Sequence, residues 1–125
     1  MMDGQIEFSR TLFLVVALVF LIITVTVSPV IAKQRALNAE EKYVANQLQN
    51  ESCLKDWGAN EGAATIDASV TGVTTDGYRV KVSMPYAYTV ERDGEDTFAD
   101  FPSEAVYIVS FIVTRRIQGE EISIC

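Results

Sequence analysis

Residues 11–32, TLFLVVALVFLIITVTVSPVIA, form the stretch of sequence that decides the predicted fold. The stretch contains no charged residue and consists mainly of Leu, Val, Ile and Phe. A bilayer core of about 30 Å needs about 20 apolar residues, whereas the apolar core of a signal peptide has only about 7–15. The stretch therefore predicts a transmembrane helix close to the N-terminus, with a polar and acidic remainder beyond it.

The segment after this stretch predicts a continuation of the helix. Leu37, Val44 and Leu48 recur at helical spacing, and residues 33–57 contain neither Gly nor Pro. Together the two segments predict one N-terminal helix of roughly 45–50 residues, about 70 Å long if it is continuous. Pro29 lies inside this helix and predicts a kink, because proline lacks the backbone N–H that an interior position requires.

The residues after the glycine-containing cluster at 58–62 predict strands. Apolar and polar residues alternate in three segments, and a fourth is nearly all apolar, as in a central strand covered on both faces. The four predicted strands are residues 64–73, 78–90, 105–114 and 115–125. The predicted fold class is α+β: a long N-terminal transmembrane and stem helix packed on a four-stranded antiparallel sheet.

Two features interrupt the predicted sheet. Pro85 falls within the second strand and predicts a bulge or an edge position, because proline cannot donate to the ladder. Residues 91–104 are rich in Asp and Glu and predict an acidic loop. Its carboxylates would either offer oxygen ligands to Ca²⁺ or simply face water.

Composition excludes several functional classes. The net charge is −7, from 17 Asp and Glu against 10 Lys and Arg, and an acidic surface repels nucleic-acid phosphates. The chain has no histidine, which is the usual general base and the commonest transition-metal ligand. We therefore predict that the protein is not an enzyme, binds no nucleic acid and has no cofactor or metal site. The roughly 90 residues after the apolar stretch suffice for one small domain.

Cys53 and Cys125 are the two cysteines, so a single intramolecular pairing is possible. We predict a disulfide between them, which would tie the last residue to the predicted stem. The alternative is a pair of unrelated thiols in a reducing compartment. The tripeptide Asn50-Glu51-Ser52 is a candidate N-glycosylation sequon, with Asn50 as the acceptor.

The order of these elements resembles that of a type IV pilin, of the archaeal or minor-pilin type. A short polar leader ends in Gly4, and the resemblance implies that a prepilin peptidase cuts between Gly4 and Gln5. It also implies that Glu7 is the acid near the helix start and that Pro29 is the pilin helix proline. The chain departs from the family pattern in having Asp3 before the glycine and in placing its acid at the third mature residue.

The resemblance implies a leader at residues 1–4, a transmembrane and stem helix at 5–57 and an antiparallel β domain at 58–125. It implies a structural subunit of a type IV pilus-like cell-surface filament, acting in adhesion or motility. The subunit would reside in the membrane before assembly and then self-associate through its N-terminal helix. Glu7, buried in the filament, would meet the amine that cleavage frees on a neighbouring subunit.

The alternative is a single-pass membrane-anchored protein with an external C-terminal domain that does not polymerise. Such a protein would be an accessory, envelope or viral membrane protein. Lys33, Arg35 and Lys42 follow the apolar stretch, and the positive-inside rule would place the domain after them in the cytoplasm. The paired cysteines and the sequon favour an external domain instead.

Overall fold

A helix packed on one face of a twisted antiparallel sheet makes up the domain. The structure is a computed structural model that describes residues 10–18 and 28–125. Residues 10–18 are helical (α1), and α2 spans Pro29–Gln49. The strands are β1 Leu54–Ala59, β2 Asp67–Thr74, β3 Gly77–Arg92, β4 Glu95–Val109 and β5 Thr114–Gly119. They lie in the order β1-β3-β4-β5, and β2 also pairs with β3.

The start of α2 contradicts the predicted continuous helix. Ser28 has an extended backbone (φ −69°, ψ 151°), and its hydroxyl accepts the N–H of Ile31 at 3.2 Å. Pro29 then takes the first helical position, where a missing N–H costs nothing. Pro29 therefore begins a helix instead of kinking one. Among residues 10–18 and 28–125, no helix has both the length and the apolar character that crossing a membrane requires.

The end of α2 explains why the sheet has five strands and not the predicted four. The helix stops at Gln49, whereas the sequence predicted helix as far as residue 57. Leu54–Ala59 instead forms β1, which pairs antiparallel with the second half of β3. This pairing satisfies backbone groups on that side of β3, and it outweighs the weak helical preference of six residues.

Pro85 forms no bulge with β4, but it has an edge-like position on the other side of β3, where no strand pairs with it. β2 pairs with β3 up to Ser83, and β1 pairs with β3 from Tyr86 onward. Pro85 falls between the two partners, where its missing N–H removes no ladder hydrogen bond on that side. Its carbonyl accepts the N–H of Asn60 at 2.8 Å. The register with β4 continues unbroken through Pro85, which faces Pro102.

The predicted acidic loop at residues 91–104 is also wrong, because those residues continue the sheet. β3 extends to Arg92 and β4 begins at Glu95, paired directly across a two-residue turn. Asp93 and Gly94 both have positive φ, 54° and 80°, as in the tight turns that match strand twist. The acidic residues therefore lie along both strands of a long hairpin.

The predicted strand at residues 105–114 ends earlier than expected and is covered by the helix on one face only. β4 stops at Val109, and residues 110–113 form the turn to β5. Ala105, Tyr107 and Val109 are buried beneath α2, whereas the alternate residues Val106 and Ile108 are half-buried.

The core consists of two clusters under the two halves of α2. The buried residues of α2 recur every four positions: Ala32, Ala36, Glu40, Val44 and Leu48. Its first half packs on Val80, Val82 and Val109, and its second half packs on Met84 and Ile122. The start of α2 therefore lies at the end of the sheet where β3 begins. The β3–β4 hairpin reaches away from that end.

Candidate functional site

Within residues 11–32, the large apolar side chains that the structure describes are exposed, whereas Ala32 at the end of the stretch is buried in the core. We call the exposed residues the N-terminal apolar surface: Leu12, Phe13, Leu14, Val15, Val16, Leu18, Val30 and Ile31. Water-exposed apolar side chains in such number are typical of surfaces that contact another protein or a membrane. This surface is the candidate functional site.

Of the predicted leader and assembly residues, the structure describes only Pro29. It occupies the first position of α2, directly before the exposed Val30 and Ile31. Gly4, Gln5 and Glu7 lie outside the described residues, so their predicted roles in cleavage and assembly stay predictions.

A buried carboxylate, which the sequence analysis missed, joins α2 to the sheet. Glu40 is fully buried and accepts the hydroxyls of Ser103 at 2.8 Å and Tyr107 at 2.7 Å. Arg116 donates to the same carboxylate from Nε at 3.1 Å and from Nη2 at 3.2 Å. The guanidinium of Arg116 also lies 3.8 Å from the ring centroid of Tyr43. We call these five residues the Glu40 cluster.

The electrostatics of the Glu40 cluster favour a neutral Tyr107 and a charged Arg116. Burial raises the pKa of Tyr107 most strongly, and the hydrogen bond to Glu40 and the charge of Glu40 raise it further. Burial by itself would lower the pKa of Arg116. The hydrogen bonds to Glu40 and the charge of Glu40 outweigh that effect, so the pKa of Arg116 is raised.

The Glu40 cluster is suited to holding elements together and not to acid–base chemistry. Both oxygens of Glu40 receive two hydrogen bonds each, so the carboxylate has no free site for a substrate or an ion. Within the described ranges, every buried side-chain nitrogen and oxygen has a hydrogen-bond partner. The four-residue spacing from Ala36 to Val44 was a sequence signal that could have placed Glu40 in the core.

We expect Tyr107 to make stability fall at alkaline pH. An unfolded tyrosine loses its proton near pH 10, and the folded-state pKa of Tyr107 is higher. The stabilisation from this shift is complete below pH 10 and is lost as the pH rises through the folded-state pKa. Free energies of unfolding from urea titrations at increasing pH should therefore fall less steeply above pH 10 in Tyr107→Phe than in the parent protein. Tyr78→Phe, outside the cluster, is the control, and equal slopes in Tyr107→Phe and the parent would contradict the expectation.

The predicted disulfide is confirmed. Cys53 and Cys125 are bonded, with Cα atoms 5.8 Å apart. Glu51 reinforces the junction, because its carboxylate accepts the N–H groups of Ile124 and Cys125, each at 3.1 Å. The candidate glycosylation site Asn50 caps the C-terminal end of α2 and is exposed beside this junction.

The acidic hairpin makes individual contacts and does not form a cluster of ligands. Asp96 pairs with Lys55 at 2.9 Å, and Asp100 accepts the N–H of Ala63 at 3.2 Å. In the part of the chain that the structure describes, no group of acidic or cysteine side chains is arranged to hold a metal ion.

The domain thus has an exposed apolar surface where the chain enters α2 and a covalent link where the chain leaves the same helix. Between these two points, the Glu40 cluster joins α2 to β4 and β5. Comparisons of the chain with protein-family models, with curated proteins and with solved structures found no match.

Proposed function

We propose that the protein is a structural subunit of a type IV pilus-like surface filament that acts in adhesion or motility. The observation that carries the proposal is the N-terminal apolar surface, whose large side chains are exposed in the single chain. Burying such side chains against neighbouring copies gains roughly 25 cal/mol per Å² of apolar area. The sheet domain would then be displayed on the outside of the filament.

The contacts within the sheet domain support assigning assembly to the N-terminal apolar surface and not to the sheet. Its buried polar side chains are satisfied within the described residues, and a disulfide links Cys125 to the residues that follow α2. Such a domain needs no partner to complete its core. Self-association is therefore assigned to the apolar residues before Ala32.

Glu7 gives the assembly a specific register in this proposal. A carboxylate within an apolar interface is costly unless it meets a positive partner. Cleavage after Gly4 would create a positively charged amine at Gln5, two residues before Glu7. The amine of one subunit and the Glu7 carboxylate of the next would then pair.

Glu7→Ala should abolish incorporation into filaments without affecting the folded domain. Removing one member of a buried ion pair costs roughly 3–5 kcal/mol, whereas an exposed glutamate contributes almost nothing. Electron microscopy and immunoblotting of sheared cell-surface material from the source would measure incorporation. Glu121→Ala, at an exposed site near the disulfide, is the matched control. Normal assembly of the Glu7→Ala protein would contradict the pilin proposal.

The mass of the mature chain provides an independent test. A chain that begins at Gln5 supports cleavage by a prepilin peptidase. An intact Met1, together with the absence of filaments containing this chain, would favour the second candidate, a membrane-associated protein that does not polymerise. The N-terminal apolar surface would then contact lipid and not other subunits.

A further inference from the structure

We propose that the turn between β4 and β5 is a second membrane contact that inserts into the interfacial region of a lipid bilayer. Phe111, Ile112 and Val113 form this turn and are 52%, 85% and 51% exposed. Val73, 75% exposed, lies beside them at the end of β2. We call these four residues the apolar tip. The proposal does not depend on filament formation.

The apolar tip is held in a fixed conformation by hydrogen bonds. The N–H of Ser110 donates to the carbonyl of Val113 at 2.8 Å, and the N–H of Val113 donates to the hydroxyl of Ser110 at 3.0 Å. Arg35 donates to the carbonyls of Ser110 and Phe111, each at 3.0 Å. Because these backbone groups already have hydrogen-bond partners, moving them out of water costs little free energy.

The position of the apolar tip favours lipid as its partner. Arg35 lies in the first half of α2, so the tip sits at the end of the domain where the chain enters that helix. Val30 and Ile31 are exposed at the same end, and the sequence before them is uncharged back to Thr11. A lipid bilayer that surrounds the apolar residues before α2 would therefore also contact the apolar tip.

The distribution of charge is consistent with the same orientation. Arg35 and Arg115 lie near the apolar tip, with Asp76 in the adjacent turn. The far end of the domain is the acidic β3–β4 hairpin, with Glu91 opposite Asp96 and Arg92 opposite Glu95. The 16 residues of β3 separate the two ends by about 50 Å. Cations beside an inserted apolar turn interact favourably with anionic headgroups, and the distant acids avoid them.

Depth-dependent quenching of tryptophan fluorescence tests this orientation in the full-length chain. Trp57 is the sole tryptophan, so Trp57→Phe provides a silent background for Ile112→Trp at the tip. Phe98→Trp is the matched control, since Phe98 is 67% exposed on the hairpin. The proteins would be reconstituted into phosphatidylcholine–phosphatidylglycerol vesicles, with and without brominated phosphatidylcholine. We expect blue-shifted emission and loss of most of the signal for Ile112→Trp, and little change for Phe98→Trp.

Three results would overturn the proposal. The first is equal quenching at the two positions, and the second is a chain that does not float with the vesicles. The third is a blue-shifted but unquenched Ile112→Trp, which would mean that another copy of the protein covers the tip. Phe111→Trp provides a second tip position in case Ile112→Trp does not form the Cys53–Cys125 disulfide, as checked by peptide mapping.

Discussion

Replacing Glu40 with alanine should lower the free energy of unfolding by about 3–5 kcal/mol, the cost of removing one partner of a buried ion pair. The substitution leaves the guanidinium of Arg116, whose side chain is 17% exposed, without its carboxylate. It also leaves the hydroxyls of Ser103 and Tyr107 without the acceptor that they share. Native domains have only about 5–15 kcal/mol of stability, so this loss is a large fraction of the total. Urea denaturation monitored by circular dichroism would measure the change.

Two further variants distinguish the effect of breaking the buried ion pair from the effect of removing any glutamate from α2. Glu41→Ala, at the next and partly exposed position of α2, should change stability by less than about 0.5 kcal/mol. Adding Arg116→Met to Glu40→Ala should recover part of the loss, because no unpaired charge then remains in the core. If Glu40→Ala proved as stable as Glu41→Ala, the cluster would not be the link between α2 and the sheet.

Replacing both cysteines with serine should lower stability by about 4 kcal/mol, because the disulfide closes a loop with a sequence separation of 72 residues. Without the disulfide, the segment containing Ile122 is held by its contacts with Val44, Leu48 and Met84. The hydrogen bonds from the N–H groups of Ile124 and Cys125 to Glu51 would remain, but no covalent bond would then hold these residues beside Glu51.

The measurement is urea denaturation with and without a reducing agent. The reducing agent should destabilise the parent protein and leave the Cys53→Ser/Cys125→Ser variant unchanged. Equal stability of the oxidised parent and the double variant would show that packing around Ile122 alone holds the last residues in place.

The sequence predicted those features whose signals are local or strictly periodic. Alternation identified β2 and the first half of β3, and the cysteine count allowed one pairing, which the structure contains. The start of α2 was missed although its signal is local. Ser28 followed by Pro29 is a helix-start signal, but the surrounding apolar residues favoured one continuous helix.

The errors in the sheet arose where tertiary pairing decides the structure. Residues 54–59 have little strand character of their own and become β1 only because the second half of β3 is available. The turn at Asp93 and Gly94 was hidden within an acidic run that resembles a loop. Local sequence patterns could not predict the partners of Glu40, because Ser103 and Arg116 lie 63 and 76 residues away in sequence.

The Cys53–Cys125 bond also determines how the domain would carry mechanical tension. All five strands lie between Leu54 and Gly119 and are therefore inside the loop that this bond closes. The covalent path of a force applied between Pro29 and Cys125 would run along α2 and across the sulfur–sulfur bond, so it would bypass the strands. Without the bond, the same pull could draw out a further 250 Å or so of chain, at about 3.5 Å per residue. The oxidised domain would behave as a short tether that unravels only along α2.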